Sequence, residues 1–155
     1  MIQRHLGGGL AALLLLSAFS AAAAGELVAT AEDGTEIARL TVPDGAGWCV
    51  LWNHSVQGFP VTDCYENRAG HMVLVRSRQP DFAAGLGHIP GRGRQVSDGE
   101  GGYWILDIDE PVPGDAYVLR PGAGPVDHRL QLGETVVSLS QAAARQRVRI
   151  ELTGE

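Results

Sequence analysis

The chain predicts an all-β fold, an antiparallel sandwich or barrel-like meander with one intramolecular disulfide and at most one short helix. Three observations carry that expectation. The 155 residues include 21 glycines and 8 prolines. Between them lie short runs rich in Val, Leu, Ile and aromatic residues, with turn signals roughly every ten residues, the spacing of sandwiches and barrels. Only Ser140–Arg145 reads as helical, one or two turns capped by Ser140 and too short to stand alone.

The N-terminal residues 1–24 read as a secretory signal peptide, with Arg4 in a short polar start, an apolar stretch from Leu10 to Phe19, and small residues before a cleavage point after Ala24. A retained membrane anchor is the competing reading. Signal h-regions run to about 15 residues, short of the roughly 20 that a spanning helix needs. Residues 25–155 are then a single all-β domain, periplasmic and without stable membrane insertion.

Leu27–Ala31 and Ile37–Val42 form a first hairpin around the tight-turn pair Asp33-Gly34. Trp48–His54 and Val61–Asn67 form a second. A turn at Arg68-Ala69-Gly70 leads into His71–Arg78, so the centre of the chain is a meander. Pro80–Gly102 carries seven glycines and two prolines and is expected to be an ordered binding loop without regular structure. Tyr103–Ile108 and Ala116–Arg120 read as a strand pair joined by Asp109–Asp115. Val126–Leu132, Val136–Leu139 and Val148–Leu152 supply the last strands.

Every basic residue is Arg, which removes lysine as a nucleophile, and the formal net charge is −6. That balance argues against nucleic acid and anionic membrane surfaces as partners. Cys49 and Cys64, in an oxidising compartment, suggest an internal bridge. Two free thiols and an intermolecular bridge are the alternatives. If the two face each other across the hairpin, paired residue numbers sum to 113 and His54 opposes Phe59. Trp48, Val50, Trp52, Asp63 and Tyr65 then share one face, which packs on the core, while Cys49, Leu51, Thr62 and Cys64 share the other. Asp63 becomes a buried acid needing an arginine or backbone donors. His54 and Asp63 sit roughly 13 Å apart along the strands, too far to form a dyad.

A nucleophilic triad of Ser55, His128 and Asp127 lacks the G-x-S-x-G elbow, and an Asp directly before its own His points to the opposite face of a strand. A metal site would draw on His54, His71, His88 and His128 with Asp63 or Asp127, yet neither H-x-H nor H-E-x-x-H occurs. No cofactor is expected.

An aromatic followed by His54-Ser55-Val56, then Pro60-Val61 and Asp63, then Phe82 and Gly85-Leu86-Gly87, and later Asp127-His128-Arg129-Leu130 resembles the domain-of-unknown-function 1850 family. His88 stands where that family's second motif has proline. The resemblance spans about Leu27 to Leu152. It implies a small exported bacterial protein whose genes neighbour those of TRAP-type solute transporters, with no established activity. It also carries His54, Ser55, Asp63, Gly85, Gly87, Asp127, His128 and Arg129 over as candidate binding residues. Amides at Gly85–Gly87 and the guanidinium groups of Arg92, Arg94 or Arg129 suit a carboxylate. The expected function is a periplasmic, non-catalytic accessory or binding protein for a TRAP-type organic-acid transporter, its partners being transporter subunits or an organic-acid ligand. The alternative is a metal-binding or hydrolytic protein using His54, Asp63 and His128, and a third reading is a structural envelope protein.

Overall fold

The computed structural model describes residues 24–80 and 90–154. Strict alternation of burial marks the first and last strands: Leu27, Ala29 and Ala31 of β1 (Ala24–Ala31) and Val148, Ile150 and Leu152 of β12 (Val148–Thr153) all point inward. Such a period of two is what a sheet with one covered face requires. These strands pair antiparallel, Leu27 opposite Leu152, and β2 (Glu36–Pro43) and β9 (Ala116–Leu119) flank them to complete a four-stranded sheet in the order β2-β1-β12-β9.

The second sheet has eight strands. Its centre is the expected meander: β3 (Gly47–Asn53), β4 (Pro60–Arg68) and β5 (His71–Pro80). The pair β10 (Arg129–Leu132) and β11 (Thr135–Ser138) extends it on the β3 side. On the far side β5 pairs with β7 (Gly102–Leu106), which holds β6 (Arg94–Ser97), and with the two-residue β8 (Glu110–Pro111). The sheets face each other as a sandwich, not a closed barrel. Leu27, Val42, Ile150 and Leu152 from one and Trp48, Val50, Met72 and Leu130 from the other form a common core, each contributing about 1.5–3 kcal/mol where a large apolar side chain is fully buried.

The predicted hairpin register holds residue for residue, Trp48 opposite Tyr65, Val50 opposite Asp63 and Trp52 opposite Val61, with a bond between Cys49 and Cys64. The turn at Arg68–His71 uses left-handed conformations at Ala69 (φ 53°) and Gly70 (φ 86°). For alanine this conformation costs roughly 1–2 kcal/mol, offset by the Ala69 amide donating to Asp44 Oδ1 at 2.6 Å. Asn67 ties the same corner to β2: fully buried, it donates to the Val42 carbonyl at 2.8 Å and accepts from the Gly70 amide at 2.9 Å.

Four expectations are corrected. Tyr103–Ile108 and Ala116–Arg120 do not pair, since β7 lies in the large sheet against β5 and β9 in the small sheet against β12. Part of the glycine-rich segment is regular, for Arg94–Ser97 forms β6 on the edge of β7. The helix α1 (Leu139–Ala143) is capped by Ser138, whose hydroxyl accepts from the Gln141 amide at 3.2 Å, and not by Ser140. The strand read from Val126 begins only at Arg129, because Gly124–Val126 makes a single 3-10 turn.

Candidate functional site

One hairpin carries two concavities, one on each face. Its inner face, with Val50, Trp52, Asp63 and Tyr65, meets Tyr117 and Leu119 of β9 and His128 before β10 around a cavity of about 180 Å³. Its outer face floors a larger groove of two adjoining lobes, about 570 and 500 Å³, that share Cys49, Cys64 and Arg76.

In the inner cavity Asp63 is half-buried, and the Ser77 hydroxyl across β5 donates to its Oδ1 at 2.6 Å. Burial pushes this carboxyl above the usual range, against the Ser77 hydrogen bond and the nearby Arg92 charge. The direct partner is a hydroxyl, neither of the expected partners, an arginine or backbone donors, and Arg92 is itself paired with Glu110 at 2.8 Å. Tyr65 stacks on Trp48 (5.8 Å between centroids) and on Tyr117 (5.1 Å), a cluster of three rings that joins the two sheets. Burial raises both tyrosine hydroxyls far above ordinary phenol values.

His128 is held from several directions. Its amide donates to Ser140 Oγ at 2.7 Å, its carbonyl accepts from the Leu139 and Ser140 amides, and its ring lies parallel to Trp52 at 5.6 Å. Nδ1 accepts from the Gly122 amide at 3.1 Å. An amide can only donate, so the hydrogen of the neutral ring sits on Nε2. Burial lowers the His128 pKa, partly opposed by Asp127.

The remaining sequence candidates scatter. His54 Nδ1 accepts from the Val56 and Gln57 amides at 3.3 and 3.4 Å, a local turn contact. Ser55 is exposed at the hairpin tip. Asp127, in a left-handed conformation (φ 46°), pairs with Arg129 at 3.3 Å rather than with His128. Gly85 and Gly87, with Phe82 and His88, lie outside the described residues. Among the described residues no group of three or more His, Cys, Asp or Glu side chains converges as metal ligands would.

The outer groove went unrecognised in the sequence. A β-bulge between Cys64 and Tyr65 leaves Val75 without a cross-strand partner, and its carbonyl takes the Ile108 amide at 3.0 Å. The bulge sets Arg76 opposite Cys64 on the outer face. There the Arg76 guanidinium lies 5.4 Å from the centroid of the Trp104 ring, with Leu51 and Gln131 further along the groove. Its neighbours on this face are already paired: Arg78 with Asp98 (2.7 Å) and Glu100 (3.0 Å), Arg94 with Asp107 (3.2 Å), Arg129 with Asp127. Arg78 also packs 5.0 Å from the Phe59 ring centroid. Arg76 is exposed and has no carboxylate partner among the described residues.

A family model described as "Domain of unknown function (DUF1850)" matches residues 49–139, the stretch containing the disulfide hairpin, Arg76, Trp104 and His128. No curated protein and no solved structure matches the chain.

Proposed function

The chain belongs to the domain-of-unknown-function 1850 family, and on that premise we propose that it is a periplasmic, non-catalytic binding module that takes an organic carboxylate in its outer groove, as an accessory to a TRAP-type transporter of organic acids. The observation that carries this reading is the Arg76 guanidinium over Trp104, without a carboxylate partner among the described residues, beside Arg78, Arg94 and Arg129, which are paired. A guanidinium fork pairs with carboxylate in two parallel hydrogen bonds, and the Trp104 ring restricts the arginine beforehand. The internal disulfide is compatible with work outside the cytoplasm. Among the described residues no helix is long and apolar enough to cross a membrane.

The test is calorimetric titration of the protein with short mono- and dicarboxylates. Binding is expected to fall by about tenfold or more in Arg76→Gln, the worth of a charge-assisted hydrogen bond. Heat that is unchanged by this substitution overturns the groove as the site. Co-purification from the membrane fraction tests the accessory role, and recovery of transporter subunits supports it. The metal-binding or hydrolytic alternative gains no support from geometry: His54 is engaged in its own turn and takes no part in the wall that Asp63 and His128 share.

A further inference from the structure

The inner cavity is lined by polar side chains that the fold leaves partly unspent: Asp63, His128 and Tyr117, whose buried hydroxyl has no partner among the described residues. Asp63 gives one oxygen to Ser77, and its second oxygen has no partner among the described residues. His128 commits Nδ1 to the Gly122 amide, which leaves Nε2–H as a fixed donor without an acceptor among the described residues. Asp63 and His128 wall the same space, about 180 Å³, with Val50, Leu119, Trp52, Tyr65 and Tyr117. Half-buried polar groups facing a space of this size are sites for a hydrogen-bonding ligand or for water.

The wall disfavours a cation. Tyr65 stacks on Trp48 and on Tyr117, and His128 stacks on Trp52, which leaves fewer ring faces for cation–π attraction. Nε2–H is a donor and repels an ammonium. An anion fares no better, because it would meet the half-buried Asp63 carboxyl group. What matches an acceptor and a donor on the wall of one largely aromatic and aliphatic cavity is a planar uncharged group that presents N–H and C=O together.

We propose that this cavity is a second binding site, distinct from the outer groove, for the carboxamide or lactam group of a small uncharged ligand. The amide N–H donates to Asp63, and the carbonyl accepts from Nε2–H of His128. Complementarity survives either protonation state of Asp63, since a carboxyl group keeps an acceptor oxygen when it gains a proton. The apolar end of the ligand lies against Val50, Leu119 and Trp52. His128 reaches this position through its clasp to Ser140 and Gly122, so the donor is aimed before any ligand arrives.

Three compounds of nearly equal shape separate the possibilities: benzamide, benzoate and benzylammonium. Ligand-observed NMR with the full domain at neutral pH is expected to show benzamide binding and the two ions binding at least about tenfold more weakly, the worth of one buried hydrogen bond or its loss. Asp63→Asn keeps an acceptor for Ser77 but turns a donor toward the ligand, and it is expected to weaken benzamide by about tenfold. Leu119→Trp, on the edge strand β9, fills the space and abolishes binding with the fold retained by circular dichroism. Arg76→Gln on the opposite face leaves benzamide binding unchanged, so the result is independent of the carboxylate reading. Equal or tighter binding of either ion, no binding by benzamide, or indifference to both cavity substitutions overturns the proposal.

Discussion

Asp63 and His128 face one another's environment with opposite electrostatic consequences. Asp63 has its carboxyl raised by burial, so the folded protein holds that proton more tightly than the unfolded chain does. Its ionisation costs stability as pH rises from the ordinary carboxyl range through the raised value, and the cost is complete above that value. His128 is lowered from 6.5, so its contribution is full above that value and declines as pH falls through the lowered one. Replacing Asp63 by Asn, with the Ser77 hydroxyl still donating, is therefore expected to raise stability at about pH 7 and to lose that advantage near pH 4. Urea denaturation of variant and wild type at both pH values checks this, and a constant difference would remove the desolvation account. The sequence singled out His128 as a candidate, through the Asp127-His128-Arg129-Leu130 motif, but not the contacts that hold it. What distinguishes it is the Gly122 amide and the Ser140 hydroxyl, contacts made between segments with no shared pattern.

At the scale of elements, the disulfide hairpin was the most legible part of the chain. A single assumed pairing fixed every other pair in β3 and β4, because a ladder with period two has no freedom once one register is set. Reduction of Cys49–Cys64 releases a loop with a sequence separation of 15 and is expected to lower stability by about 3 kcal/mol. Denaturant unfolding with and without reductant measures this, and coincident midpoints would show that the ladder alone constrains the unfolded chain. Elements with weak patterns were misread for physical reasons. All four residues of β6 are exposed, so no alternation announces it. In β5 the bulge breaks the period, and the run Met72–Val75 hides the fact that Arg76 and Arg78 share the outer face. Trp104, flanked by the buried Tyr103 and Ile105, was the available signal for that face.

For the whole molecule, fold class was readable from composition and turn spacing, but sheet membership was not. The pairing of β9 with β12, and of β1 with β12, depends on contacts between distant segments that local pattern does not encode. Since β12 is central in the smaller sheet and supplies Val148, Ile150 and Leu152 to the core, a chain ending before Val148 is expected not to fold. A circular dichroism spectrum of that truncation without β signal checks it, and a cooperative melt would show that the large sheet stands alone. The same pairing has a temporal meaning. β1 can pair with β2 at once but gains its second neighbour only when β12 has been made, so a ribosome that delivers the chain from its N-terminus handles an incomplete sandwich until Val148–Thr153 emerges.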